Sequence, residues 1–251
     1  MCSIRSRQER TYIAECRPRP LSENTMNDHP ATRPAATGWT WLGLAIALFA
    51  LPLVAAGFRS VFGPVTAPVA VIREVTIFAI ALFLVWIVRS REQQPLASIG
   101  FTPAPAGRLA LWTLIGILGC AVALAIGLMA VSMLGLRFGS AQGTVSVKLP
   151  MWLTIIVLLR AGIVEELFYR GYAIGRLQQL TGSKAVAVIV PLLLFAGSHY
   201  SQSAGGVLIT FLMGAVLTAL YLWKRNLLLV MLTHFLVDFI PNVILPLLSS
   251  D

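Results

Sequence analysis

From residue 39 onward, long apolar runs alternate with short polar breaks. That alternation predicts helices at about 39–57, 69–88, 109–135, 151–177, 184–200, 205–223 and 226–248. The runs are roughly 15 to 25 residues long, the length needed to cross a bilayer. Breaks such as Phe101-Thr102-Pro103-Ala104-Pro105 and Thr181-Gly182-Ser183-Lys184 leave no room for a domain outside the membrane. The expected fold is therefore all-α, a polytopic bundle of about seven spans. Pro52, Pro191, Pro241 and Pro246 fall inside the runs, where membrane helices tolerate them as kinks. Residues 1–38 differ in kind: Arg, Pro, Thr, Ser and Asn dominate, and no apolar run is long enough for a signal-peptide core. They read as a disordered cytoplasmic tail, with Met26 as an alternative start, ahead of a bundle at 39–251.

Composition agrees with the pattern and excludes a soluble domain. Hydrophobic residues make up 57% of the chain, charged residues 12%, and the mean hydropathy is +0.82. Lys and Arg are distributed unevenly between the two sides: with the N-terminus inside, 13 fall on that side and 4 on the other, while Arg160 and Arg170 lie within the fourth run. Cytoplasmic loops are enriched in both residues, so the N-terminus is expected in the cytoplasm. The formal charge of +9 then reflects topology and attraction to lipid headgroups; no basic, aromatic-interleaved surface suits nucleic acid. Cys2, Cys16 and Cys120 form neither a disulfide framework nor a metal-ligand spacing. Arg outnumbers Lys and no eukaryotic targeting signal is evident, which fits a bacterial inner membrane. Trp39 and Trp41 read as an interfacial belt, and Gly119, Ala123 and Gly127 as a close helix contact.

Ionisable groups at bilayer depth are costly and face a bundle interior or a wet cavity, so each is a functional candidate. Glu165, Glu166 and Asp238 are the acids expected at depth, joined by His199, His234 and Arg170. Glu166 and Arg170 stand four apart in the order that favours a helical ion pair. Glu165 projects about 100° away from that pair. It therefore lacks that partner, and desolvation is expected to raise its pKa until it can work as a base near neutrality. The next motif is Phe195-Ala196-Gly197-Ser198-His199, and the last is His234-Phe235-Leu236-Val237-Asp238, whose polar residues share one helical face. Counting about 1.5 Å of rise per residue from the cytoplasmic ends puts Glu165 at ~18 Å, His199 at ~22 Å, His234 at ~12 Å and Asp238 at ~18 Å. A single polar layer follows.

In order and spacing, these three segments resemble the CPBP family of CAAX-type prenyl proteases and bacteriocin-processing enzymes, with the catalytic core at 151–248. The resemblance implies a metal-independent intramembrane glutamic endopeptidase without cofactor. In it Glu165 and His199 activate water, and His234 and Asp238 correspond to the oxyanion-stabilising pair. Glu166, Arg170 and Phe195 correspond to positions that brace the site or bind substrate. An ionised Asp238 cannot donate a hydrogen bond, so it is expected either to be protonated or, the favoured reading, to orient and charge His234. The implied partners are membrane lipids and a peptide or membrane-protein substrate, lipidated or not. A zinc protease fits less well, since no His-Glu-x-x-His helix is present. Ser198 and His199, adjacent on a helix, are expected to diverge by about 100° and so not to form a nucleophile with its own base. The rival class is a transporter or a non-catalytic scaffold that uses the buried groups for proton relay or bracing, although no inverted repeat supports transport.

Overall fold

The computed structural model describes residues 37–138 and 149–248; the expectations for the tail up to residue 36, including Met26, Cys2 and Cys16, lie outside the described residues. Thr37 opens α1, Gly38–Phe62, by accepting the backbone N–H of Thr40 on its side chain, the cap that a helix start requires. A proline in the first turn starts α2, Ala67–Trp86, which runs on as a wider π-helical turn, Ile87–Arg91. A short 3-10 turn at Leu96–Ile99 leads to α3, Ala106–Met133. Next comes a central rod in four parts: α4, Met151–Arg160, π-helical stretches at Ala161–Glu165 and Leu167–Ile174, and α5, Gly175–Thr181. Gly182, at φ 71°, ends the rod in the left-handed conformation that glycine adopts freely. Ser183 caps α6, Lys184–Gly197; α7 is Ser203–Lys224; Asn226 caps α8, Leu227–Phe239. Pro241 lies in the π-helical turn Ile240–Ile244 that joins α8 to α9, Leu245–Leu248. No strand occurs among the described residues.

The expected helices are present, with their ends within a few residues of the apolar runs. Length and hydropathy alone do not establish all seven spans. Five helical stretches are long and apolar enough to cross a bilayer: Gly38–Phe62, Ala67–Arg91, Ala106–Met133, Tyr200–Lys224 and Leu227–Leu248. The sixth, Lys184–Gly197, has 14 residues, short of the roughly 20 that a crossing needs. The rod fails as a simple span because its centre carries charge and changes helix type.

That rod is the core. Every residue from Val164 to Ile174 is buried, so no face of it meets lipid or water. Helices α1, α2, α6 and α8 pack around its π-helical portions. The core unites Leu44 and Leu48 of α1, Ile77 and Leu84 of α2, Phe168 and Tyr172 of the rod, and Val230 and Met231 of α8. Large apolar side chains such as Leu53, Leu82, Leu118, Met129 and Leu193 stand exposed outside, while Glu166 and Arg170 are buried within. A soluble fold has the reverse arrangement; this one suits a hydrocarbon surround. The protein is an integral membrane protein.

The small-residue stripe of α3 makes its expected close contact. A methyl group at Gly119 would touch Val216 at 3.0 Å, and one at Gly127 would meet Ile209 at 2.8 Å, so α3 lies close against α7. Trp39 packs edge-on against Trp86, and the guanidinium of Arg91 covers both rings. Trp41 is exposed.

Candidate active site

Glu165 and Glu166 lie where the two π-helical stretches of the rod meet. A π turn bonds i to i+5, so residues five apart come onto one face. Across Ala161–Glu165 this sets Arg160 against Glu165, with Nη1 2.6 Å from Oε1. Glu165 is thus not paired with Arg170, as expected, but it does have a cation. Its partner is Arg160, brought there by the widened turn, rather than Arg170, which α spacing turns away. Arg160 in turn donates from Nε to Glu74 Oε2 at 2.9 Å, and Arg73 donates to Glu74 Oε1 at 2.8 Å. Four alternating charges therefore link α2 to Glu165.

Glu74 is buried and Glu92 partly buried, two acids beyond the three expected at depth. Glu74 is 2% exposed, and a signal for it exists in the sequence. Ala70, Glu74, Ile77, Ala81 and Leu84 are the buried positions of α2, an inward stripe at helical spacing into which the acid fits. Glu92 accepts from the Tyr172 hydroxyl at 2.7 Å and from Arg176 at 2.6 and 2.9 Å, tying the end of the α2 span to the rod.

Glu166 is fully buried, and its Oε1 accepts from both Arg170 Nη1 and His234 Nδ1, each at 2.7 Å. The predicted Glu166–Arg170 pair is therefore present, with a histidine added. Arg170 spends its other arms on α7, donating to the Gly214 carbonyl at 3.0 Å and the Thr218 hydroxyl at 3.3 Å. On α8, the other nitrogen of His234 faces Asp238 Oδ2 at 3.4 Å, as the shared helical face requires.

Phe195 sits at the junction of these groups. Its ring lies 4.3 Å beneath the Arg170 guanidinium, 5.1 Å from the His199 ring, 6.1 Å from His234 and 5.4 Å from Tyr169. One aromatic surface thereby gathers side chains from α6, α8 and the rod. The Tyr169 hydroxyl is buried, with Glu165 and Ser198 near it. Nothing in the motif spacing singles it out.

α6 ends at Gly197, which corrects the expectation that Ser198 and His199 diverge. In the turn that follows, Ser198 Oγ approaches His199 Nδ1 at 3.2 Å. Nδ1 also lies 2.8 Å from the Phe195 carbonyl, which can only accept, so Nδ1 carries the proton and Nε2 holds the free lone pair. Ser198 donates to the same carbonyl at 2.7 Å. A protonated Nδ1 cannot take a proton from Ser198, so the pair does not work as nucleophile and base despite its closeness. Among the described residues no group of three His, Cys, Asp or Glu side chains is placed to hold a metal ion.

No curated protein and no solved structure gives a significant match to the chain. Residues 147–240 match the family model described as Type II CAAX prenyl endopeptidase Rce1-like, a stretch that contains all three polar motifs. Over those residues the chain is similar to CAAX-type intramembrane proteases, in agreement with the resemblance carried by Glu165-Glu166-x-x-x-Arg170, Phe195-x-x-x-His199 and His234-x-x-x-Asp238.

Proposed function

We propose that the protein is a metal-independent glutamic endopeptidase that hydrolyses a peptide bond in a prenylated or membrane-embedded substrate, with Glu165 as base. Its N-terminus faces the cytoplasm, in a bacterial inner membrane. The observation that carries the mechanism is the Nδ1 contact of His199 with the Phe195 carbonyl. It leaves Nε2 as an acceptor, and Glu165, paired with Arg160, is a second acceptor. A water donating one hydrogen to each is oriented for attack on the scissile carbonyl. Glu165 takes the proton as the C–O bond forms and returns it to the leaving amine.

His234 supplies the oxyanion donor. Its Nδ1 is fixed on Glu166, while the 3.4 Å contact from Nε2 to Asp238 is longer than the roughly 2.7–2.9 Å of a charge-assisted bond. An oxyanion can therefore displace Asp238, whose side chain is one-third exposed, and accept from Nε2. Glu166, Arg170 and Phe195 hold the site together.

Purified protein in lipid nanodiscs, given a library of prenylated and unprenylated membrane peptides, tests this reading. Glu165→Gln and His199→Ala are expected to lower kcat by about 10²–10⁴-fold, the usual loss for a general base. Cleavage unaltered in both variants refutes the assignment, and inhibition by a zinc chelator refutes metal independence.

A further inference from the structure

A cavity of about 420 Å³ lies apart from the catalytic cluster, lined by Thr102, Arg108, Trp112, Lys224, Asn226 and Leu229 among others. Its position follows from the helix ends. Lys224 closes the span Tyr200–Lys224, Asn226 caps α8, and Thr102 and Arg108 flank the start of α3. The mouth therefore sits where three helices reach one membrane surface. Trp112 and Leu229 lie deeper along α3 and α8, so the lining changes from polar to apolar toward the bilayer centre.

The cavity is built and positively charged. Its rim is pinned by Asn226 Nδ2 donating to the Thr102 carbonyl at 2.8 Å and by Leu227 N–H donating to the Gly100 carbonyl at 2.7 Å. The Lys224 ammonium is held 3.3 Å from the centre of the Trp112 ring and 3.8 Å from that of Trp223. Rings hold a cation in place without cancelling its charge. Nor does any acid of the described residues cancel it: Glu74, Glu165, Glu166, Glu92 and Asp238 are engaged with Arg73 and Arg160, Arg170, Arg176 and His234. Arg108 and Lys224 thus present two positive charges to one cleft.

We propose that this cavity binds the headgroup of an anionic phospholipid, its phosphate between Arg108 and Lys224 and the start of its acyl chain along Trp112 and Leu229. Charge selects the anion, and the polar-to-apolar gradient selects an amphiphile over a free ion. The volume suits a headgroup and its glycerol rather than a whole lipid.

Native mass spectrometry of the full chain released from detergent with phosphatidylglycerol or phosphatidylcholine tests the assignment. Wild type is expected to retain phosphatidylglycerol selectively. The double variant Arg108→Gln, Lys224→Gln should hold it about tenfold or more weakly, since each cation near a membrane surface contributes about 1 kcal/mol. Arg108→Lys with Lys224→Arg should keep it. Ala104→Trp, which fills the cavity without removing charge, guards against a folding defect and should also expel the lipid. Retention by the double variant equal to wild type overturns the proposal. So does complete displacement of the lipid by millimolar inorganic phosphate, which would mean a simple anion site, or by a prenylated peptide, which would mean a substrate subsite.

Discussion

Single side chains at this site work through pairs, so each has a calculable effect. Arg160 touches both Glu74 and Glu165, and its removal takes the cation from Glu165 and leaves Glu74 to Arg73. Arg160→Gln is expected to cut kcat by at least about tenfold with little change in KM, because it disturbs the base rather than substrate binding. Arg160→Lys should recover part of the loss, and steady-state kinetics on one cleavable peptide separates the two parameters. Phe195→Leu removes a ring that contacts Arg170, His199, His234 and Tyr169. Aromatic contacts of this kind contribute about 0.5–1.5 kcal/mol each beyond burial. Thermal unfolding in detergent should show a clear drop in Tm, and an unshifted Tm would remove Phe195 from its organising role.

The decisive element is the rod, and within it the change of helix type at Ala161–Glu165. Gly162 is what allows this stretch to lie against α8. A methyl group there would meet Phe235 Cβ at 2.8 Å and the Met231 carbonyl at 3.0 Å, the latter backbone that cannot move alone. Gly162→Val should therefore push α8 away, taking His234 and Asp238 with it. Activity is expected to fall by orders of magnitude while circular dichroism still reports full helix content, and full activity in this variant would show that the close contact is dispensable. The residues that carry the motifs were legible as helical from their apolar surroundings. The π-helical turns were not, because a widened turn leaves the 3.6-residue apolar pattern almost unchanged in a segment buried on all sides. That is why Arg160, five positions away from Glu165, was not expected as its partner. The same limit applies to Ser198 and His199, whose approach depends on α6 ending at Gly197.

Across the whole molecule, two buried charge systems bind the N-terminal helices to the family-matched segment. One runs from Glu74 to Glu165; the other joins Glu92 to Tyr172 and Arg176, with the Tyr172 hydroxyl also reaching the Thr40 carbonyl of α1 at 3.4 Å. Removing one partner of a buried ion pair costs about 3–5 kcal/mol. Glu92→Gln is expected to lower the unfolding temperature markedly, Tyr172→Phe by much less, at about 1 kcal/mol for one hydrogen bond. Equal melting of both variants would argue against Glu92 as the tie. The apolar runs alone determined that the chain enters a membrane as a helical bundle, since a bilayer imposes length and hydrophobicity and both are local properties. The order Glu-Glu, His, His-Asp likewise exposed the candidate chemistry, because ionisable groups are conspicuous in apolar sequence. Partner choice was left to the tertiary structure: which cation meets Glu165, that His234 stands between Glu166 and Asp238, and that α2 reaches the site through Glu74. Those outcomes depend on how helices distant in sequence turn toward one another, and in a protein whose outer and inner faces are both largely apolar, hydrophobic pattern does not specify that rotation.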